Sequence, residues 1–303
     1  MTQLSQEVFD SFQVRKTKKQ KQAFAAFLQT HIPELQVQET SFPKCRNLII
    51  GDPKTAKLLL TAHYDTCPQL PIPNFIAPKK PLLCILYSLL MVVPFLLIIF
   101  AFNYLLNFFY MDYWLQSAIS LTAYAALMFL MLAGPANKNT ANDNTSGVIT
   151  LLETYQALSE QQKAEVCFVF FDNKEKGIIG SSLFRKKYKS ETKNKLLINF
   201  DCVSDGDYFL LGISKNASKK YHSVLSHTFT DTNTKHVLLE DLKKLYYPSD
   251  QAGFPMAIAV AALNYKKPFA YYMDRIHTKR DTVFQEENIQ YLKERTIQLI
   301  ESL

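Results

Sequence analysis

The sequence lacks charge where a soluble protein could hardly do without it. No Asp, Glu, Lys or Arg occurs between Lys80 and Asp112, and none between Asp112 and Lys138, although the 303 residues carry 34 basic and 27 acidic side chains. Other absences narrow the function. The start, MTQLSQEVFDSFQVRKTKKQKQ, has no apolar signal region, so secretion by cleavage is not expected. The five cysteines, 45, 67, 84, 167 and 202, show no CxxC spacing and need no disulfide framework, which agrees with a reducing compartment. No glycine loop of the phosphate-cradling kind is present, and GIIGSS lacks the Gly-x-Ser-x-Gly spacing of a nucleophile elbow. Aromatics are not interleaved with the basic runs and no nucleic-acid motif occurs, so nucleic acid is not an expected partner. The net charge of +7 comes from lysine-rich stretches such as RKKYKSETKNK, which read as solvated faces with a weak attraction for anionic lipid head groups.

What fills the uncharged stretches is hydrocarbon. PLLCILYSLLMVVPFLLIIFAFNYLL and YWLQSAISLTAYAALMFLMLAG each exceed the roughly 20 residues that cross a bilayer as a helix. They predict a transmembrane hairpin within residues 78–136, closed by the turn around NFFYMDYW; as buried core helices the runs are too long. Lys79, Lys80 and Lys138 flank the spans, and the turn carries only Asp112. The positive-inside rule then puts both flanks in the cytoplasm, with the bilayer as a partner.

Outside the hairpin, residues 1–77 and 137–303 alternate strand and helix signals. They predict one discontinuous α/β domain, a mixed β-sheet flanked by helices. The expected elements are an opening amphipathic helix broken near the lysine cluster, and strands NLIIGD and KLLLTAHYD side by side across a turn at Asp52-Pro53. A helix over NTSGVITLLETYQAL follows, then strands EVCFVFFD, KLLINFD, YFLLGI, HVLLE and AIAVAAL. Helices through GSSLFRKKY, YHSVLSHTF and ENIQYLKERTIQLIESL complete the set. There is no internal repeat.

The polar residues at the ends of these elements make a set. His63 and Asp65 end one strand, Asp143 opens the helix after the hairpin, Glu175 and Asp201 end two more strands, and His277 lies near the C-terminus. Three carboxylates and two histidines at loop-facing strand ends can hold a pair of divalent metals. His-x-Asp suits a histidine ligand whose second nitrogen is oriented by a nearby carboxylate. Singly, each has an ordinary reading: an Asp before a helix is commonly an N-cap, and His277 alone a surface or core histidine. His222, His227 and His236 fall outside the pattern, and Cys67, two residues after Asp65, reads as a packing cysteine.

The order AHYD, DN-SGV, a strand running into EKGIIGS, a strand ending NFD, and HTxxDT resembles metallopeptidase family 28, the bacterial leucyl aminopeptidases with relatives among glutamate carboxypeptidase and glutaminyl cyclase. The resemblance spans about residues 45–65 and 140–303. It implies a zinc-exopeptidase-like αβα sandwich and two zinc ions bridged by Asp143. One would be completed by His63 and Asp201, the other by Glu175 and His277, with Asp65 orienting His63. The implied activity is peptide hydrolysis by metal-activated water, with a peptide substrate. Two features depart from the family. The hairpin fills what is ordinarily a short loop rimming the site, so it either brings membrane-associated peptides to the site as substrates or serves only as an anchor. And Lys174 stands where the family has its general-base glutamate, immediately before the ligand Glu175; Gln251 also stands where a histidine is common. Three outcomes are open at Lys174: the ammonium points away, the amine is neutral and accepts the proton itself, or Asp172 takes the base's place. The reading is a membrane-anchored zinc aminopeptidase. The alternatives are a metal-binding pseudopeptidase serving as receptor, chaperone or complex subunit, and a cyclase-like aminoacyl transferase using one zinc.

Overall fold

The structure, a computed structural model, describes residues 1–70, 74–109 and 111–303. Helices α1 (Gln3–Ser11) and α2 (Lys18–His31) lead into β1 (Gln36–Thr40), β2 (Cys45–Ile50) and β3 (Leu58–His63). Helices α3 (Pro81–Asn107) and α4 (Tyr113–Ala133) follow, then an irregular turn at Ala141–Ser146, α5 (Gly147–Ala157) and α6 (Glu160–Glu165). The rest is β4 (Val166–Phe171), α7 (Ile179–Lys187), α8 (Lys189–Thr192), β5 (Leu196–Phe200), β6 (Tyr208–Ile213), α9 (Lys215–Thr228), β7 (His236–Asp241), β8 (Ala257–Lys266), β9 (Ala270–Tyr272) and α10 (Glu286–Ser302).

The strands form one mixed sheet in the order β1-β2-β4-β3-β5-β8-β6-β7, with β9 added to the end of β8. The central strands β4, β3, β5 and β8 run parallel. Their apolar runs are buried throughout, as expected of strands covered on both faces. Helices α1, α5 and α10 pack on one another over the sheet. The sequence expectation that NLIIGD and KLLLTAHYD pair is corrected: β4 lies between β2 and β3 and bonds to both. The turn at Asp52 is present, its side chain accepting from the Lys54 amide at 2.9 Å. The opening helix breaks at residues 12–17, just ahead of the lysine cluster. There the Arg15 side chain is fully buried, bonding to the Tyr64 carbonyl and to Thr145. Thr17 and Gln20 then restart α2 with a reciprocal capping box.

Among the described residues one helix, α3, is long and apolar enough to cross a membrane. Its 27 residues reach about 40 Å against a hydrocarbon thickness near 30 Å. Helix α4 packs back along it, joined by Asn103 donating to the Tyr124 hydroxyl (2.7 Å) and accepting from Ser120 (2.6 Å). The expected turn around NFFYMDYW includes residue 110, outside the described residues. The base of α3 is fastened to the sheet domain: Lys79 pairs with Glu240, Lys80 donates to the Pro268 carbonyl, and Phe75 packs between Tyr87 and Tyr272. The far end of α4 is fastened by Lys16, which donates to the Gly134 carbonyl at 2.7 Å.

Candidate metal centre

Parallel strands aim their C-terminal ends at one edge of the sheet, where ligand sites of open α/β folds form. Here β4, β3 and β5 lie side by side, so residues following each of them meet. His63 ends β3, Glu175 follows β4 and Asp201 follows β5. Asp143 arrives from the turn before α5, and His277 from the loop after β9. That turn is stapled to the sheet by its own side chains. Asn144 donates to the Phe200 carbonyl (2.9 Å) and accepts from the Cys202 and Gly147 amides (3.1 Å each), while Asp281 accepts from the amides of Asn142 (2.8 Å) and Asp143 (3.0 Å). Gly147 is required by proximity: a Cβ there would sit 2.4 Å from the Phe200 carbonyl oxygen. Non-glycine residues at φ near +60° flank the site at Asn173, Cys202 and His277, a backbone conformation that costs energy and concentrates at functional sites.

The five side chains converge. His63 Nε2 lies 3.2 Å from Asp143 Oδ1 and 3.3 Å from Asp201 Oδ1. His277 Nε2 lies 2.8 Å from Asp143 Oδ2 and 3.4 Å from Glu175 Oε2. Asp143 thus stands between the two imidazoles, and apart from them its buried oxygens have no hydrogen-bond partner among the described residues. Two groups have donor atoms within 4.8 Å of one another: His63, Asp143 and Asp201, and Cys67, Glu175 and His277. Nitrogen and carboxylate donors of this kind suit zinc. A buried carboxylate whose two oxygens each face an imidazole, with two further carboxylates within reach, is a donor set zinc accepts, so the residues fit the ion. Burial and Lys174 push the His63 proton affinity down, but Asp201 and Asp143 outweigh them and hold it well above the ordinary histidine range. His277 is likewise raised to about 9, burial being outweighed by Glu175 and Asp143. Asp143 is held well below the usual carboxylate range: burial opposes this, and Lys174 and the histidines win.

Asp65 faces His63 through both its carbonyl and its carboxylate, and it has a further task. His63 Nδ1 faces the Asp65 backbone carbonyl at 3.0 Å, and its carboxylate is farther, at 3.6 Å. That carboxylate accepts from the amides of Lys174 (2.9 Å) and Glu175 (3.1 Å), so it fixes the turn presenting those two residues. Lys174 points inward. Its Nζ lies 3.0 Å from Glu175 Oε1, 3.4 Å from Asp201 Oδ2 and 3.7 Å from Asp143 Oδ1. Burial works against the ammonium, yet Asp143, Asp201 and Glu175 hold its proton well above the lysine range. The side chain thus points inward, and the carboxylates around it favour the charged form. Asp172 does not replace it. Its carboxylate pairs with Lys21 and accepts from the Arg46 amide, and those partners hold it away from the site.

Gln251 is buried and donates to the Tyr247 carbonyl at 2.8 Å, a structural bond. His222 and His227 are exposed on α9, and His236 stacks on Tyr208. Cys67, which the sequence reads as a packing cysteine, sits with Glu175 and His277; reasoning from sequence passed over the anchors Asn144, Asp281 and Ser249, whose hydroxyl donates to Asp201. Their signal was present in the quoted DN-SGV and HTxxDT strings, where Asn144 and Asp281 are literal members. The chain on either side of the inserted segment touches the His277 loop: the Leu70 amide donates to the His277 carbonyl (2.9 Å), and the Asn137 side chain to the Thr278 carbonyl (3.0 Å).

A family model described as peptidase family M28 matches residues 124–300, more than half of the chain. Among solved structures, an aminopeptidase of Legionella pneumophila, LapA, superposes with a TM-score of 0.58 at 13% identity, covering 99% of this chain and 68% of that one. The glutaminyl cyclase of Porphyromonas gingivalis superposes with a TM-score of 0.56 at 16% identity, covering 99% and 95%. At these identities the likeness is one of fold.

Proposed function

The chain belongs to peptidase family M28, and we propose that it is a membrane-anchored, zinc-dependent hydrolase of peptide bonds, of the aminopeptidase type. The observation carrying this reading is the position of Asp143, buried between His63 and His277 with no other hydrogen-bond donor on its oxygens among the described residues and the Lys174 ammonium 3.7 Å away. Zinc, when bound, supplies Lewis acidity toward an amide carbonyl and makes water a stronger acid. His63, Asp143 and Asp201 would hold one ion, and Asp143, Glu175 and His277 a second, with the Cys67 thiol beside it. The His63 ring is oriented by the Asp65 carbonyl, and the Glu175 turn by the Asp65 carboxylate. The two helices α3 and α4 form the anchor, both crossing the bilayer. Lys79 and Lys80 before α3 and Lys138 after α4 support a cytoplasmic placement of the domain.

Lys174 sets the rate. An ammonium has no lone pair, so in the charged state Nζ donates to Glu175 and Asp201 and cannot take a proton from water. It becomes a base only when added positive charge nearby drives its proton off. A positioned base contributes 10²–10⁴-fold, so slow turnover is the expected behaviour. The same lysine favours a second reading, a pseudopeptidase that keeps its metals and no longer cuts.

Zinc content and turnover of an aminoacyl anilide, measured side by side in purified full-length protein, separate the two. On the hydrolase reading wild type holds zinc and turns over slowly, His63→Ala loses the metal, and Lys174→Glu accelerates turnover by about 10²-fold or more. Zinc binding without wild-type turnover, with turnover appearing in Lys174→Glu, favours the scaffold. A protein that binds no divalent metal ends both.

A further inference from the structure

The polar pocket does not end at its carboxylates. Lys174, Glu175, Asp201 and His277 line one end of a cavity of about 720 Å³ whose other end is lined by Phe95 and Ile99 of α3 and Met128 of α4. Along α3 the cavity follows Cys84, Ser88, Met91, Phe95 and Ile99, a single face by their spacing of three and four. From Cys84 to Ile99 that face is about 22 Å long.

We propose that this cavity binds the hydrocarbon tail of a single-chain amphiphile whose amide lies among the carboxylates, so that the substrate is an amide carrying a long alkyl chain. This deepens the hydrolase reading and rests on it. Two observations select the occupant. An extended peptide would bring an N–H and a C=O per residue into a channel lined mostly by apolar side chains, where the Ser88 hydroxyl already donates to the Cys84 carbonyl at 2.9 Å. An alkyl chain makes no such demand. At ~1.3 Å per carbon, from a 1.5 Å bond in an extended zigzag, the face accommodates about 12–16 carbons below a head group. Hydrolysis would break the amide C–N bond, the water oxygen going to the acyl carbon and its protons to the new carboxylic acid and amine, with no further reactant.

The test uses full-length protein in lipid nanodiscs, because alkyl detergents would compete for the same channel. Alanine dodecylamide with a diazirine at the tail end serves as probe, and crosslinks are mapped by mass spectrometry, a readout that needs no turnover. Expected labelling falls on Phe95, Ile99 and Met128. It should drop at least tenfold in Val92→Trp, which fills the channel partway along, and persist in Leu97→Trp on the outer face, with unfolding curves checking that both variants fold. Compared at equal membrane-bound concentration, hydrolysis of alanine alkylamides should rise with chain length up to about 12–16 carbons, the length of the face, and fall beyond it. Labelling spread over Leu90 and Leu97 as much as over the channel means simple partitioning into lipid and overturns the proposal. Turnover independent of chain length overturns it while leaving the hydrolase reading intact. Specific channel labelling without any turnover supports the tail site and removes the hydrolase reading instead.

Discussion

Helices α3 and α5 are both apolar, and the molecule treats them oppositely. Every residue of α5 from Gly147 to Thr154 is buried, between the sheet and helices α1 and α10. In α3 only Cys84 and Leu106 are buried, and side chains such as Leu97 and Phe100 are 62% and 71% exposed. Apolar composition alone therefore does not say what covers a helix. Length and context do: α5 has 11 residues and three strands beneath it, while α3 has 27 residues and one helix beside it. On the proposed anchoring, a bilayer covers the exposed faces of α3.

The largest effect that would test this contrast is a charge in each helix. Leu152→Asp in α5 buries a carboxylate with no partner and is expected to cost about 5 kcal/mol or more, enough to unfold the domain. Urea unfolding or the yield of folded protein measures it. Leu97→Lys near the middle of α3 is expected to leave the unfolding midpoint of the domain unchanged and to weaken membrane insertion by about 3 kcal/mol. Partition between membrane and soluble fractions reads that change. If Leu97→Lys destabilised the sheet domain as much as Leu152→Asp, α3 would belong to the core and the contrast would be lost.

The same contrast explains what the sequence made legible. Strands β4 and β8 were readable because VCFVFF and AIAVAAL are continuous apolar runs bounded by polar residues. The edge strand β1, QVQET, was not, since it pairs on one side only and carries mostly polar side chains. The three residues of β9 are too few for any pattern. That β4 enters between β2 and β3 is a consequence of pairing across more than 100 residues, which no local window contains. At the candidate site, the polar residues following strands could be picked out because strand ends were visible. Which atom of Asp65 meets His63 could not, because the carbonyl and carboxylate of one residue are indistinguishable in a string of letters. Nor could the inward turn of Lys174, which depends on Asp65 holding two successive amides.

Buried polar groups sharpen the comparison at smaller energies. Asp250 is fully buried in the sheet domain and neither of its oxygens has a partner among the described residues; the adjacent Ser181 hydroxyl faces the Ile178 carbonyl. Burial pushes its pKa up from 3.8 to about 7. The folded state then holds the proton more tightly than the unfolded state, so this group's contribution to stability falls as pH rises from about 4 to about 7 and is flat above. Asp250→Asn should remove that slope and stabilise the protein at pH 8 by about 2 kcal/mol, less than the full shift because the amide must find partners in the same pocket. Unfolding free energies at pH 5 and pH 8 check it; a variant that keeps the wild-type slope would assign the titration elsewhere.

The hairpin's counterpart is satisfied. Asn103 donates to the Ile99 carbonyl (2.8 Å) and to the Tyr124 hydroxyl, and accepts from Ser120, so an amide inside an apolar helix pair has its groups engaged. In a bilayer such interhelical bonds average only about 0.6 kcal/mol, because the separated helices find other partners. Asn103→Ala should therefore weaken the pairing of α3 with α4 by that small amount and leave zinc content untouched, since the metal-site residues lie at the sheet edge and bond to neither Asn103 nor Ser120. A shift in unfolding midpoint of a degree or two is the expected reading. Loss of bound metal in Asn103→Ala would mean that the hairpin and the site are one cooperative unit, with the apolar helices holding the carboxylates in place as well as anchoring them.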